Sequence, residues 1–89
     1  MKTSSRLLYW TDESWGGYLC WQSQDNKTLK RINRLIADVK RSPLEGIGKP
    51  EPLKEHLAGF WSRRIDETNR LVYVVDDFSI TIISCRYHY

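Results

Sequence analysis

Cysteine is scarce in this 89-residue chain, histidine is no commoner, and long apolar runs are missing altogether. Cys20 and Cys85 fall in segments that read as helix and strand, so they make no disulfide framework and read as small buried hydrophobes. Two cysteines and two histidines also fall short of a zinc site, although Cys85 and His88 have a metal-like spacing. Met1-Lys2-Thr3-Ser4-Ser5 leads straight into a short strand-like segment; the expectation is no secretion signal, no membrane span and a cytoplasmic protein. Repeats, low-complexity tracts and linkers are absent too. A second core would leave each half too small to fold, so a single domain over residues 1–89 is expected.

What the chain does have is bulk and unevenly placed charge. Apolar residues make up 40%, with four Trp and five Tyr among them, which suits a compact core. The net charge is only +3, yet Lys27 to Arg64 holds ten Lys/Arg against four Asp/Glu, and the remainder four against seven. A basic stretch interleaved with Tyr and Trp is the footprint of a surface that meets phosphates, and equally of a solvated charged face.

The pattern along the chain predicts the order β-α-α-β-β-β. Arg6 to Trp10 is short and aromatic, as a strand would be, and Thr11-Asp12-Glu13-Ser14 offers an N-cap and first-turn acids. The helix that follows carries Trp15, Tyr18, Leu19 and Gln22 at helical spacing, with Gly16 and Gly17 each costing about 1 kcal/mol relative to Ala. A second helix is capped at Asp25 or Asn26, buries Leu29, Ile32, Leu35, Ile36 and Val39, and ends near Ser42-Pro43. Its other side shows Lys27, Lys30, Arg31, Arg34, Lys40 and Arg41. Ser42 to His56 has three Pro, two Gly and no period, the mark of a functional or mobile loop.

Three strand-like runs follow, Gly59 to Asp66, Arg70 to Val75 and Ser79 to Tyr87, joined by short polar connections as an antiparallel meander. Pairing the last two so that Leu71, Tyr73 and Val75 share a face with Ile80 and Ile82 sends Arg70 to the opposite face. Strict alternation would bury Arg86 and His88, so the last strand is expected to end, twist or bulge before them. The sum is an α+β fold, an antiparallel sheet with two N-terminal helices packed on it.

Cleaving RNA without a metal needs a base for the 2′-hydroxyl proton, an acid for the departing 5′ oxygen, and cations for the phosphorane. Glu51, in Lys49-Pro50-Glu51-Pro52-Leu53-Lys54, has a proline-restricted backbone and flanking lysines that favour the carboxylate. His88 can be protonated near neutral pH, so the pair divides naturally into base and acid. Arg63, Arg64, Arg70 and Arg86 lie on neighbouring strand segments with forks that suit phosphate oxygens; salt bridges to Asp66 or Glu67 are the structural alternative. Gly46-Ile47-Gly48-Lys49 falls short of a phosphate loop, and no sharp strand-to-helix turn presents a Ser or Cys nucleophile.

These residues resemble a known family, the YoeB toxins of bacterial toxin-antitoxin pairs within the RelE-like superfamily. The resemblance rests on four blocks: Glu13-Ser14-Trp15 with Tyr18 and Trp21; Gly48 to Lys54; Gly59-Phe60-Trp61-Ser62-Arg63-Arg64-Ile65; and Arg70-Leu71-Val72-Tyr73 with the ending Cys85-Arg86-Tyr87-His88-Tyr89. It implies a RelE-like microbial-ribonuclease fold and a ribosome-dependent endoribonuclease that cuts messenger RNA in the A site without metal or cofactor. By the same resemblance Glu51 is the general base, His88 the general acid and Arg70 the transition-state clamp. The resemblance also implies that Lys54 and Arg64 contact phosphate or substrate and that Tyr89 packs against or orients the nucleotides; Lys49, Arg63 and Arg86 are expected as further phosphate contacts from their charge. A homodimer, a YefM-like antitoxin and operator DNA bound by the toxin-antitoxin complex are also implied. Met1 to Ser5 looks longer than the usual family start. Two competing readings are a non-enzymatic ParE-like toxin or nucleic-acid-binding module of the same fold, and a ribonuclease acting on free RNA.

Overall fold

A computed structural model describes residues 6–87; the expectations placed on Met1 to Ser5, His88 and Tyr89 lie outside the described residues. The elements are β1 (Leu7–Trp10), α1 (Asp12–Gln24), α2 (Asn26–Arg41), β2 (Glu51–Pro52), a 3-10 turn (Glu55–Leu57), β3 (Phe60–Arg64), β4 (Arg70–Val75) and β5 (Ser79–Ser84). The strands form one sheet in the order β1-β5-β4-β3-β2. Two corrections follow. The sheet is mixed rather than antiparallel, because β1 runs parallel to β5 along one edge. The loop expected from Ser42 to His56 also yields a fifth strand, Glu51–Pro52, antiparallel to β3 at the other edge.

Helix α2 follows its sequence closely. The Asp25 carboxylate accepts from the Thr28 amide at 3.1 Å, and Ser42 closes the helix just before Pro43. Its stripe of Leu29, Ile32, Leu35, Ile36 and Val39 is buried, in one cluster with Leu71, Tyr73, Ile80 and Ile82 from the sheet. Each such side chain contributes about 1.5–3 kcal/mol by leaving water.

Helix α1 does not bury the expected stripe. Trp15 and Leu19 are exposed and Tyr18 is half-buried, whereas Ser14 and Trp21 face the sheet. Polar anchors explain the rotation. Ser14 completes a capping box with Thr11 and donates to the Ile82 carbonyl at 2.7 Å, and Trp21 Nε1 donates to the Cys85 carbonyl at 2.8 Å.

Strand β5 ends at Ser84, short of the expected Tyr87. Tyr73 pairs with Ile82 while Val72 pairs with Ser84, which leaves Ile83 as the extra residue of a bulge. The strand therefore both bulges and ends before Arg86. Among the described residues no helix is long and apolar enough to cross a membrane.

Candidate active site

Residues opposite each other in a ladder point to the same side of a sheet, as do alternate residues of one strand. Glu51 stands opposite Ser62, and Arg64 opposite Arg70. Ser62 and Arg64 are alternate positions of β3, so Glu51, Ser62, Arg64 and Arg70 share one face. Leu71 and Tyr73, which meet the helices, take the other. Three of the expected site residues are thereby gathered on the side of the sheet that the helices leave uncovered.

Each is held there by main-chain bonds. Arg64 donates its amide to the Gly48 carbonyl at 2.7 Å, and its own carbonyl accepts from Arg31 Nη2 at 3.1 Å. Arg31, expected on the basic side of α2, thus fastens the end of β3. The Arg70 guanidinium is steadied by the Asp66 and Asn69 carbonyls, at 2.6 and 3.1 Å from Nη1. These are neutral acceptors, and the guanidinium, although it makes no salt bridge, also helps to keep the nearby Asp66 carboxyl ionised.

The Asp66 carboxylate is taken up within its own turn by Thr68 and Asn69. Burial works against its ionisation, but the amide and side chain of Asn69 and the amide of Thr68 outweigh it and hold the carboxyl below its usual range. Among the described residues the salt bridges are those of Asp38 with Arg41 and Arg63. The alternative of Asp66 or Glu67 neutralising the arginines is therefore not realised there.

The C-terminal segment is tied to the same place. The Arg70 amide donates to the Tyr87 carbonyl at 2.7 Å, and the Tyr87 amide donates to Asn69 Oδ1 at 2.6 Å. Tyr87 has a φ of 63°, in the left-handed region. Asn69 was not anticipated as a site residue; its sequence signal is Asp66-Glu67-Thr68-Asn69, whose Asp and Asn are both turn formers. Lys49 and Lys54 are exposed, on either side of Glu51.

One of the expected phosphate contacts, Arg63, is corrected, and Arg86 is half-buried away from the strand. Arg63 is fully buried on the helix-covered face, where its guanidinium meets Asp38, Tyr73 and three main-chain carbonyls. The cause is strand parity, which turns Arg63 inward as it turns Arg64 outward. Arg86 is drawn to the α1 side, its guanidinium 5.2 Å from the Trp21 ring and 2.9 Å from Cys20 Sγ.

Cavities of about 480 and 230 Å³ lie elsewhere, one beside Pro43, Val75 and Asp76, the other between α1 and Arg86. Neither is lined by Glu51, Arg64 or Arg70. A carboxylate, two guanidiniums without a salt bridge among the described residues and flanking exposed lysines are suited to an extended polyanion rather than an enclosed small molecule. No cluster of three or more His, Cys, Asp or Glu suited to a metal occurs among the described residues.

The chain matches the model of a protein family described as the YoeB-like toxin of bacterial type II toxin-antitoxin systems, over residues 10–89. It is 60% identical to Toxin YoeB of Escherichia coli K12 over 82 residues, which span 92% of this chain and 98% of that protein. Among solved structures it is similar to the YoeB dimer from Staphylococcus aureus, with TM-score 0.89 and 45% identity over 96% of this chain and 99% of that one. The YoeB-YefM complex from the same organism gives TM-score 0.86 and 46% identity over 94% and 99%. Fold, open-face geometry and family match agree: this chain belongs to the YoeB-like toxins of bacterial type II toxin-antitoxin systems.

Proposed function

We propose that this toxin is an endoribonuclease that cuts messenger RNA in the ribosomal A site and so stops translation. The observation that carries the reading is the ladder register that puts Glu51, Arg64 and Arg70 on one face of the sheet, opposite the helices. Glu51 takes the proton of a 2′-hydroxyl; the freed oxygen attacks the adjacent phosphorus; the P–O5′ bond breaks; His88 protonates the departing 5′ oxygen. The products are a 2′,3′-cyclic phosphate and a 5′-hydroxyl end, with no metal in the scheme. Arg70, with Arg64, Lys54 and Lys49, neutralises the charge that gathers on the phosphorane. Tyr89 orients the reacting nucleotides. General acid and base each contribute about 10²–10⁴-fold in such a reaction.

The solved YoeB dimer and YoeB-YefM complex of Staphylococcus aureus support two further parts of the proposal: a homodimer, and a YefM-like antitoxin that covers the toxin. Together toxin and antitoxin bind operator DNA, and the toxin acts in the cytoplasm. The test is cleavage of a defined message by purified protein with and without programmed ribosomes, the free-RNA arm in EDTA. Cutting confined to the ribosome-bound message, and lost in Glu51→Ala, Arg70→Ala and His88→Ala, supports the reading. A wild type that never cuts leaves a binding-only toxin, and one that cuts free RNA equally well removes the ribosome from the scheme.

A further inference from the structure

Between α2 and Glu51 the chain crosses residues 42–48 with no regular structure of its own, and apolar burial does little to hold it. Leu44 is 55% and Ile47 37% exposed. A buried charge fastens it instead. Arg63 Nη2 donates to the carbonyls of Ser42 and Glu45 at 2.6 and 3.0 Å, and Nη1 to the carbonyl of Ile47 at 3.2 Å. Asp38 Oδ2 accepts from Arg63 Nη1 at 2.6 Å and from the Ile47 amide at 2.9 Å. Tyr73 Oη, which accepts from Arg63 Nε at 3.2 Å, donates to the Pro43 carbonyl at 2.6 Å. Four strap residues are thus held through main-chain atoms by one ion pair and one tyrosine.

Backbone shape fits the same purpose. Gly46 has a φ of +131°, and a Cβ there would fall 2.0 Å from Asp38 Oδ2; Gly48 has a φ of +81°, and a Cβ there would fall 2.8 Å from Leu35 Cδ2. A side chain at either position is strained by its positive φ and would displace the Asp38 carboxylate, the Leu35 side chain or the strap itself. Beyond Gly48, whose carbonyl is bonded to Arg64, the strap delivers Glu51 into its pairing with Ser62. Strand β3 therefore grips the strap from below with Arg63 and presents Ser62 and Arg64 above.

Burying an ion pair yields little stability over a hydrocarbon of the same volume, so what this pair supplies is geometry. We propose that Arg63 and Asp38 are positioning residues: they fix residues 42–48 against the core and so set where Glu51 stands on the open face. The inference rests on Glu51 being the base proposed above. It assigns to a buried pair a part in the rate of a reaction on the opposite side of the sheet.

The decisive variant is the double substitution Asp38→Leu with Arg63→Met, which removes both charges together and keeps the volume. Three quantities are read: hydrogen exchange at the Ile47 amide, the cleavage rate on programmed ribosomes at saturating and limiting toxin, and the same rates with Glu51→Ala added. The expected results are a cooperatively folded protein, Ile47 exchange about tenfold faster, and a saturating rate lower by about a hundredfold with KM little changed. Adding Glu51→Ala to the double variant then costs far less than it costs the wild type, because the base is already misplaced.

A folded double variant that cuts at the full wild-type rate, while Glu51→Ala does not, overturns the inference. If Glu51→Ala itself cuts as wild type does, the base assignment falls first and this inference with it. Should the double variant not fold, Gly46→Ala keeps both charges but drives a methyl against Asp38 Oδ2 and so forces strap and ion pair apart, and it is judged by the same readouts.

Discussion

Arg63 and Arg64 are adjacent and chemically identical, yet their surroundings could hardly differ more. Arg63 is fully buried and its guanidinium is fully engaged, against a carboxylate, a phenol and main-chain carbonyls. Arg64 is exposed, and among the described residues it has no carboxylate partner. The difference teaches that in a strand the residue type supplies the chemistry and the parity decides where it is spent. One face of β3 uses its arginine to hold residues 42–48; the other leaves its arginine exposed on the face that Glu51 shares.

Substitutions can break that contrast or sharpen it. The largest effect is expected from the open face: Glu51→Ala and Arg70→Ala should each lower single-turnover cleavage by about 10²–10⁴-fold while leaving urea denaturation unchanged. The buried face should show the reverse emphasis. Arg63→Met alone leaves the Asp38 carboxylate buried with one charge partner fewer and should cost about 3–5 kcal/mol in urea unfolding. Arg64→Met should stay within about 0.5 kcal/mol in the same assay. Equal stability losses at the two positions would erase the distinction drawn between the faces.

Acid offers a third comparison. The Arg63 hydrogen bond, then the Ile47 amide, hold the Asp38 carboxyl below its ordinary value of 3.8. A carboxyl lowered by folding contributes stability that is fully present above its unfolded pKa and is lost as pH falls through its folded one. Asp38 should therefore steepen the fall in stability below about pH 4. Asp66 should add to that fall, since its turn lowers its carboxyl too. The double variant Asp38→Leu with Arg63→Met should flatten the slope, as read from urea midpoints across the acid range. The smallest effect is expected at the rim: Lys54→Gln should raise KM a few-fold and make binding less salt-sensitive, with kcat little changed.

Much of this was legible in the sequence where one local rule decides. The α2 stripe, its start at Asp25 or Asn26 and its end near Pro43 follow from period and chain stiffness, and the shared face of Leu71, Tyr73, Ile80 and Ile82 from matching apolar patterns. The parallel seat of β1 beside β5 was not legible, because it depends on a return path through both helices. Helix α1 misled because its buried side is anchored by Ser14 and Trp21 through hydrogen bonds that an apolar count does not see. Glu51 was singled out by its proline-flanked, lysine-flanked setting, but the base role expected of it came from the family resemblance, because flanking residues alone do not separate it from an ordinary exposed glutamate. The part played by Asp38 was missed, although an acid beside Leu35 and Val39 on the buried stripe of α2 was a readable sign that a buried cation would have to meet it.

The measurement that tests the central claim most directly uses a ribosome-bound message carrying a single 2′-deoxynucleotide at the mapped cut. If the open face works by drawing a proton from the 2′-hydroxyl, that message stays intact while its all-ribose twin is cut to a cyclic phosphate end. Cleavage of the deoxy message at the ribose rate would contradict it, and would take the base role from Glu51.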